Sequence, residues 1–181
     1  MSTLAVETIE NLSGTNYNFI KQVKQGIFRG NYYFSDSSYQ DIVDLSVTLT
    51  PNSTSSKILV ECVLHASANA NQRFAVRIVR NGSMILPPID YASQGPGSTG
   101  VALGNRPLAH VFGNGMGSNA PTQPSVIKLL DTPSSTSALT YKVQAFCEAS
   151  SALYINSCQT WSDSTTVYAS VSTITVTEVA G

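Results

Sequence analysis

Charge is scarce in this chain: only 12% of its 181 residues are Asp, Glu, Lys or Arg, about half the usual share. Ser, Thr, Asn, Gln and Gly supply the polarity instead. The net charge is −1 and the basic residues are scattered, which leaves no electrostatic footprint for a phosphate backbone and excludes nucleic acid as an expected partner. No apolar run approaches the roughly 20 residues that cross a bilayer, so no membrane partner is expected either. The opening "MSTLAVETIENLSG" has neither a basic start nor a continuous apolar stretch, so export by a usual leader is not expected. The sequons at Asn11, Asn52 and Asn81 are then expected to stay unmodified.

Metal ligands are equally sparse. His65 and His110 are the only histidines, and no His-x-His, Cys-x-x-Cys or Asp-x-Asp run is present, so neither a metal nor a cofactor is expected. The three cysteines, Cys62, Cys147 and Cys158, are odd in number. The first two sit in strand-like runs, where a thiol packs as a small hydrophobe, and buried reduced thiols are the expectation.

Also missing is any sustained 3.6-residue apolar stripe; alternation with period two recurs instead, and the chain reads as all-β. In "DLSVTLT" (44–50), Leu45, Val47 and Leu49 share one face, as a half-buried strand requires. "KILVECVLHA" (57–66) sets Ile58, Val60, Cys62 and Leu64 on one face and Leu59 and Val63 on the other. That second face is too apolar to be left in water. Phe74, Val76 and Ile78 continue the pattern up to Asn81-Gly82, whose two positive φ angles suit a type I′ hairpin turn. "ALTYKVQAFCEA" (138–149), "TTVYAS" and "STITVTEVA" complete a set of about eight short strands. Such a set predicts an antiparallel β-sandwich of jelly-roll type.

Two regions stand apart. Residues 87–125 hold seven of the twelve glycines, and a loop of that length within a domain is usually functional or disordered. Its "VAL" and "LAHVF" patches predict that it carries a strand or two. Residues 1–20 form an expected extended arm, with Leu4, Val6 and Ile9 on one face, before a single β-sandwich domain at 21–181.

Signatures of catalysis fail on inspection. "GPGSTG" (95–100) has the glycines of a dinucleotide fingerprint, but Pro96 interrupts it and no helix-forming stretch follows. Cys62 and His65 fall on opposite strand faces, while Glu61 and His65 stand about 13 Å apart at about 3.3 Å per residue. An enzymatic function is not expected.

Three blocks carry a family likeness: "SSKILVECVLHASANANQRFAVRIVRNGSMI" (55–85), "LLDTPSSTSALTYKVQAF" (129–146) and "STITVTEVA" (172–180). In this order they resemble small β-sandwich structural proteins and fibre domains of tailed bacteriophages. In the second block, Asp131 and Pro133 suit a turn in which the Asp side chain bonds the backbone two residues on. The resemblance implies a virion location, assembly in the host cytoplasm, and a capsid decoration or cement role on the outside of the head, with the major capsid protein as partner. The expected contacts are Leu4, Val6 and Ile9 of the arm with the shell, and Leu59, Val63 and Phe146 in a homotrimer. The alternative is a receptor-binding fibre tip that holds glycans through Tyr91, His110 and Trp161; the lack of a shaft sequence argues for the first.

Overall fold

Alternating apolar residues become strands here because a sheet face can bury every second side chain while the ladder satisfies the backbone. A computed structural model describes residues 19–69, 72–85, 109–114, 122–148, 152–158 and 169–181. They form β1 (Ile20–Phe28), β2 (Tyr32–Phe34), β3 (Gln40–Leu49), β4 (Lys57–Ala68), β5 (Arg73–Arg80), β6 (Ser83–Met84), β7 (Val111–Asn114), β8 (Gln123–Asp131), β9 (Leu139–Cys147), β10 (Leu153–Ile155) and β11 (Ser172–Val179). Strands β7 and the start of β8 fall within residues 87–125, and β1 takes in Ile20, the last residue of the expected arm. Of the expected strand "TTVYAS", residues 165–168 lie outside the described residues.

All pairings are antiparallel and make two sheets. In the first, β8 runs along one edge of β4, while β11 pairs residues 57–63 of its other edge and β10 pairs residues 66–68. Beyond them lie β1 against β11 and β2 against β10. The second sheet runs β3, β9, β5, with β6 and β7 sharing the outer edge of β5. First pairs with last (β1 with β11), β3 with β9, β4 with β8, and β5 with β6 and β7. This nesting is one long hairpin rolled up on itself, a jelly roll, as the periodicity predicted.

The core lies between the sheets and is built from the alternating sets read from the sequence. Ile58, Val60, Cys62 and Leu64 face Leu45, Val47, Leu49, Phe74, Val76, Ile78, Leu139, Tyr141 and Val143. Cys62, Cys147 and Cys158 are all buried and unpaired with one another. Burial pushes the Cys62 thiol up to about 12, which keeps it protonated and unreactive.

Local chemistry explains the corners. Asn81 (φ 49°) and Gly82 (φ 83°) supply both left-handed residues of the β5–β6 hairpin, and the Asn81 side chain accepts from Thr140 N–H at 2.8 Å. In β3 the register slips between Asp41 and Ser46, and Asp44 adopts φ 62°. Ile42 and Leu45 both point inward with two exposed residues between them, the mark of a bulge. The bulge brings β3 against β1, where a Cβ on Gly26 would stand 2.7 Å from the Ser46 carbonyl oxygen. Only glycine admits that approach.

Buried Asn156 mends the seam where β11 gives way to β10. Its Nδ2 donates to the carbonyls of Phe28 and Gly30, each at 2.9 Å, its Oδ1 accepts from Ser172 Oγ at 2.6 Å, and its N–H donates to His65 O. Ser172 Oγ in turn accepts from His65 N–H at 2.9 Å. Two buried polar side chains thus replace the ladder bonds that the strand break removes.

Candidate functional site

The outward faces of the two sheets differ in kind. On the first sheet, strand register aligns Val23, Thr177, Leu59 and Leu130 in one row and Ile27, Thr173, Val63 and Val126 in another. Between them runs a polar row of Gln25, Thr175, Glu61 and Lys128. The polar row is tied internally, with Gln25 Nε2 to Thr175 Oγ1 at 3.0 Å and Lys128 Nζ to Glu61 Oε1 at 2.8 Å. Farther along the same face, Tyr33 stacks on Tyr154 with centroids 5.9 Å apart.

Exposure concentrates here. Val126 is 62% exposed, Val23 and Leu130 each 55% and Tyr33 67%, and register places all four on this one face. An isolated exposed aliphatic is ordinary on any protein, whereas aligned rows of them make a contiguous apolar patch of the kind common at interaction surfaces. Leu59 and Val63 lie half-buried in the middle of those rows.

Phe146 does not join them. It stands on the outer face of the other sheet, beside Tyr39 with centroids 5.7 Å apart. Leu59 and Val63 on β4 and Phe146 on β9 belong to opposite sheets, so the three do not form one continuous surface patch.

His110 is also placed differently from a glycan contact. Its Nδ1 accepts from Ile78 N–H at 3.0 Å and its Nε2 donates to the Ile85 carbonyl at 2.6 Å. Burial, with Arg77 nearby, holds its pKa below the ordinary histidine value despite the Ile85 bond. Both ring nitrogens are engaged by backbone, and the ring clasps β5 to the residues after β6. Leu4, Val6, Ile9, Tyr91 and Trp161 lie outside the described residues.

Asp131 also departs from the turn role. It ends β8 with its side chain inward, accepting at both oxygens from Arg80 Nη1 (2.6 and 2.7 Å) and at Oδ2 from Tyr141 Oη (2.7 Å). The sequence spacing suited a local bond, but inward parity on β8 delivers the carboxylate to the other sheet. Among the described residues, no group of three or more His, Cys, Asp or Glu is placed to hold a metal ion.

Fold and surface together define a jelly-roll β-sandwich with one aliphatic outer face. No family model matches the chain, and no curated protein matches it. It is similar to a chain from the structure of infectious bursal disease virus Gx strain, at 12% sequence identity and a TM-score of 0.39 over 98% of its length. The chain spans about half, 47%, of the length of that chain.

Proposed function

We propose that this chain is a virion structural protein of a tailed bacteriophage that decorates the outside of the head and braces neighbouring capsid subunits. The observation that carries the reading is the pair of aliphatic rows on the outer face of the first sheet. The blocks that resemble phage β-sandwich proteins support it, for they supply β4, β5, β6, the end of β8, β9 and β11, the strands around which the roll is wound.

The rows suit a homotrimer. About a threefold axis, the β8 side of the face, with Val126 and Leu130, meets the β1 side of the next copy, with Val23 and Ile27. Such a heterologous contact closes as a ring when each copy is turned by a third of a revolution from the last, and it leaves Lys128 opposite the neutral Gln25. Three weak shell contacts per trimer, made by residues 1–18 with Leu4, Val6 and Ile9, then add through avidity.

Replacing both Val126 and Leu130 by glutamate is expected to convert the protein from three times the 19.2 kDa chain mass to a monomer without loss of fold. Light scattering at micromolar concentration checks this; a monomeric parent removes the trimer. The functional reading itself is tested by quantitative mass spectrometry of purified particles. Hundreds of copies in fixed ratio to the major capsid protein are expected, and a few to a few tens would place the chain in the tail.

A further inference from the structure

We infer that the trimer opens in acid, and that His65 is the group whose proton opens it. This rests on the trimer reading of the aliphatic face and adds its regulation.

His65 belongs to that same face. On β4 it shares outward parity with Leu59, Glu61 and Val63 and is half-buried, and register sets it directly across from Pro124 of β8. The row beside it is Ile27, Thr173, Val63 and Val126. Its backbone N–H donates to Ser172 Oγ and its carbonyl accepts from Asn156 N–H, which fixes the stretch of strand from which the imidazole projects. The ring itself has no hydrogen-bond partner among the described residues.

Few charged or titratable groups surround the ring. On β4, Glu61 stands four residues away, about 13 Å, and is paired with Lys128 of β8 at 2.8 Å; Lys57 lies at the far end of the strand. Outward from β11 come Thr173, Thr175 and Thr177, and from β1 Val23, Gln25 and Ile27. The strands β10 and β2 contribute Tyr154 and Tyr33. Glu61 and Lys128 cancel within the face, so a proton on His65 adds a charge that no free carboxylate there balances.

The neighbouring copy adds a like charge. With Lys128 opposite Gln25 and Val126 against Ile27, the next outward row sets Pro124, with His65 one strand behind it, against residue 29 of the next copy. Phe28 points inward at 6% exposed and Arg29 is exposed, so alternation carries Arg29 to the outer face. Arg29 has no ion-pair partner among the described residues. A neutral imidazole is tolerated beside an aliphatic row, whereas an imidazolium loses water there and meets a cation.

Histidine is the side chain that changes charge between about pH 5 and 8. Separate chains bind the proton more readily than the trimer does, so acid favours separate chains. One His65 per copy makes the uptake about three protons per trimer. The other histidine, His110, is engaged by backbone at both ring nitrogens and belongs to the second sheet.

Light scattering of the intact protein at one micromolar concentration, at about pH 8 and about pH 5.5, tests this, with circular dichroism at each pH to follow the fold. The parent is expected to fall threefold in mass between the two. His65→Gln is expected to stay trimeric at both, and Arg29→Glu to stay trimeric in acid because a carboxylate then faces the imidazolium. A parent that remains a trimer in acid, a His65→Gln variant that dissociates with it, an Arg29→Glu variant that dissociates as the parent does, or dissociation that comes with loss of the β-sheet signal would each overturn the assignment. A parent already monomeric at about pH 8 removes the trimer itself, so the two failures are told apart by the first measurement.

Discussion

Exchanging Glu178 for glutamine is expected to lower the unfolding free energy by about 3 kcal/mol at neutral pH. Glu178 points into the sandwich from β11 and is fully buried. Its Oε1 accepts from Asn52 N–H and Ser56 Oγ, each at 2.7 Å, and its Oε2 from Gln22 Nε2 at 2.7 Å and Asn52 Nδ2 at 2.8 Å. An amide NH2 on the Oε2 side meets the NH2 groups of Gln22 and Asn52, and on the Oε1 side it meets the Asn52 N–H, where only the Ser56 hydroxyl can turn to accept, so buried polar hydrogens are left unmatched either way. The carboxylate thereby ties the 50–56 turn and β1 to the last strand.

The same site makes stability depend on acid. Burial raises the Glu178 pKa, but the bonds from Ser56, Gln22 and Asn52 outweigh it and hold it below the ordinary glutamate value. A depressed native value stabilises the fold above the unfolded pKa, about 4.3, and the contribution is lost as pH falls through the lower native value. Urea midpoints measured from neutral pH down to pH 3 are therefore expected to fall more steeply for the parent than for Glu178→Gln. Parallel profiles would mean that the carboxylate is not held as described.

Much of this architecture was legible from period two alone. The inward sets of β4, β5, β9 and β11 needed only alternation, and Asn81-Gly82 announced its hairpin because few dipeptides tolerate two positive φ angles. Strands β1 and β2 were not legible. In "IKQVKQGIF" the inward position 26 is a glycine, required by the close approach of β3, so the stripe is broken where the contact is tightest. Strand β10 is only three residues long, too short for a period. The bulge at Asp44 reverses which residues face inward between Ile42 and Leu45, and nothing local marks it.

The candidate surface was half legible. Leu59 and Val63 betrayed an apolar second face on β4, yet their neighbours Val23, Val126 and Leu130 come from strands far apart in sequence. Only register brings them into rows. Phe146 carried the same local signature as Leu59 but lies on the other sheet, a distinction that depends on topology.

Asp131→Ala is expected to cost about 3 kcal/mol, and Tyr141→Phe about 1 kcal/mol, by chemical denaturation. Removing the carboxylate leaves the Tyr141 hydroxyl buried without its acceptor and the Arg80 guanidinium without its counter-charge. The Arg80 side chain is 32% exposed, so water partly replaces the lost partner and the cost stays at the low end of that for a broken buried pair. Tyr141→Phe keeps the ion pair and removes a single bond. Asp131 and Glu178 flank Ile58 in one row of the first sheet, two strand spacings or about 10 Å apart, and they share no donor. Their effects should therefore add to within about 0.5 kcal/mol in the double variant. A strongly less-than-additive result would mean that the two carboxylates close this end of the sandwich as one cooperative unit, so that losing either already frees the turn and the β5–β9 corner together.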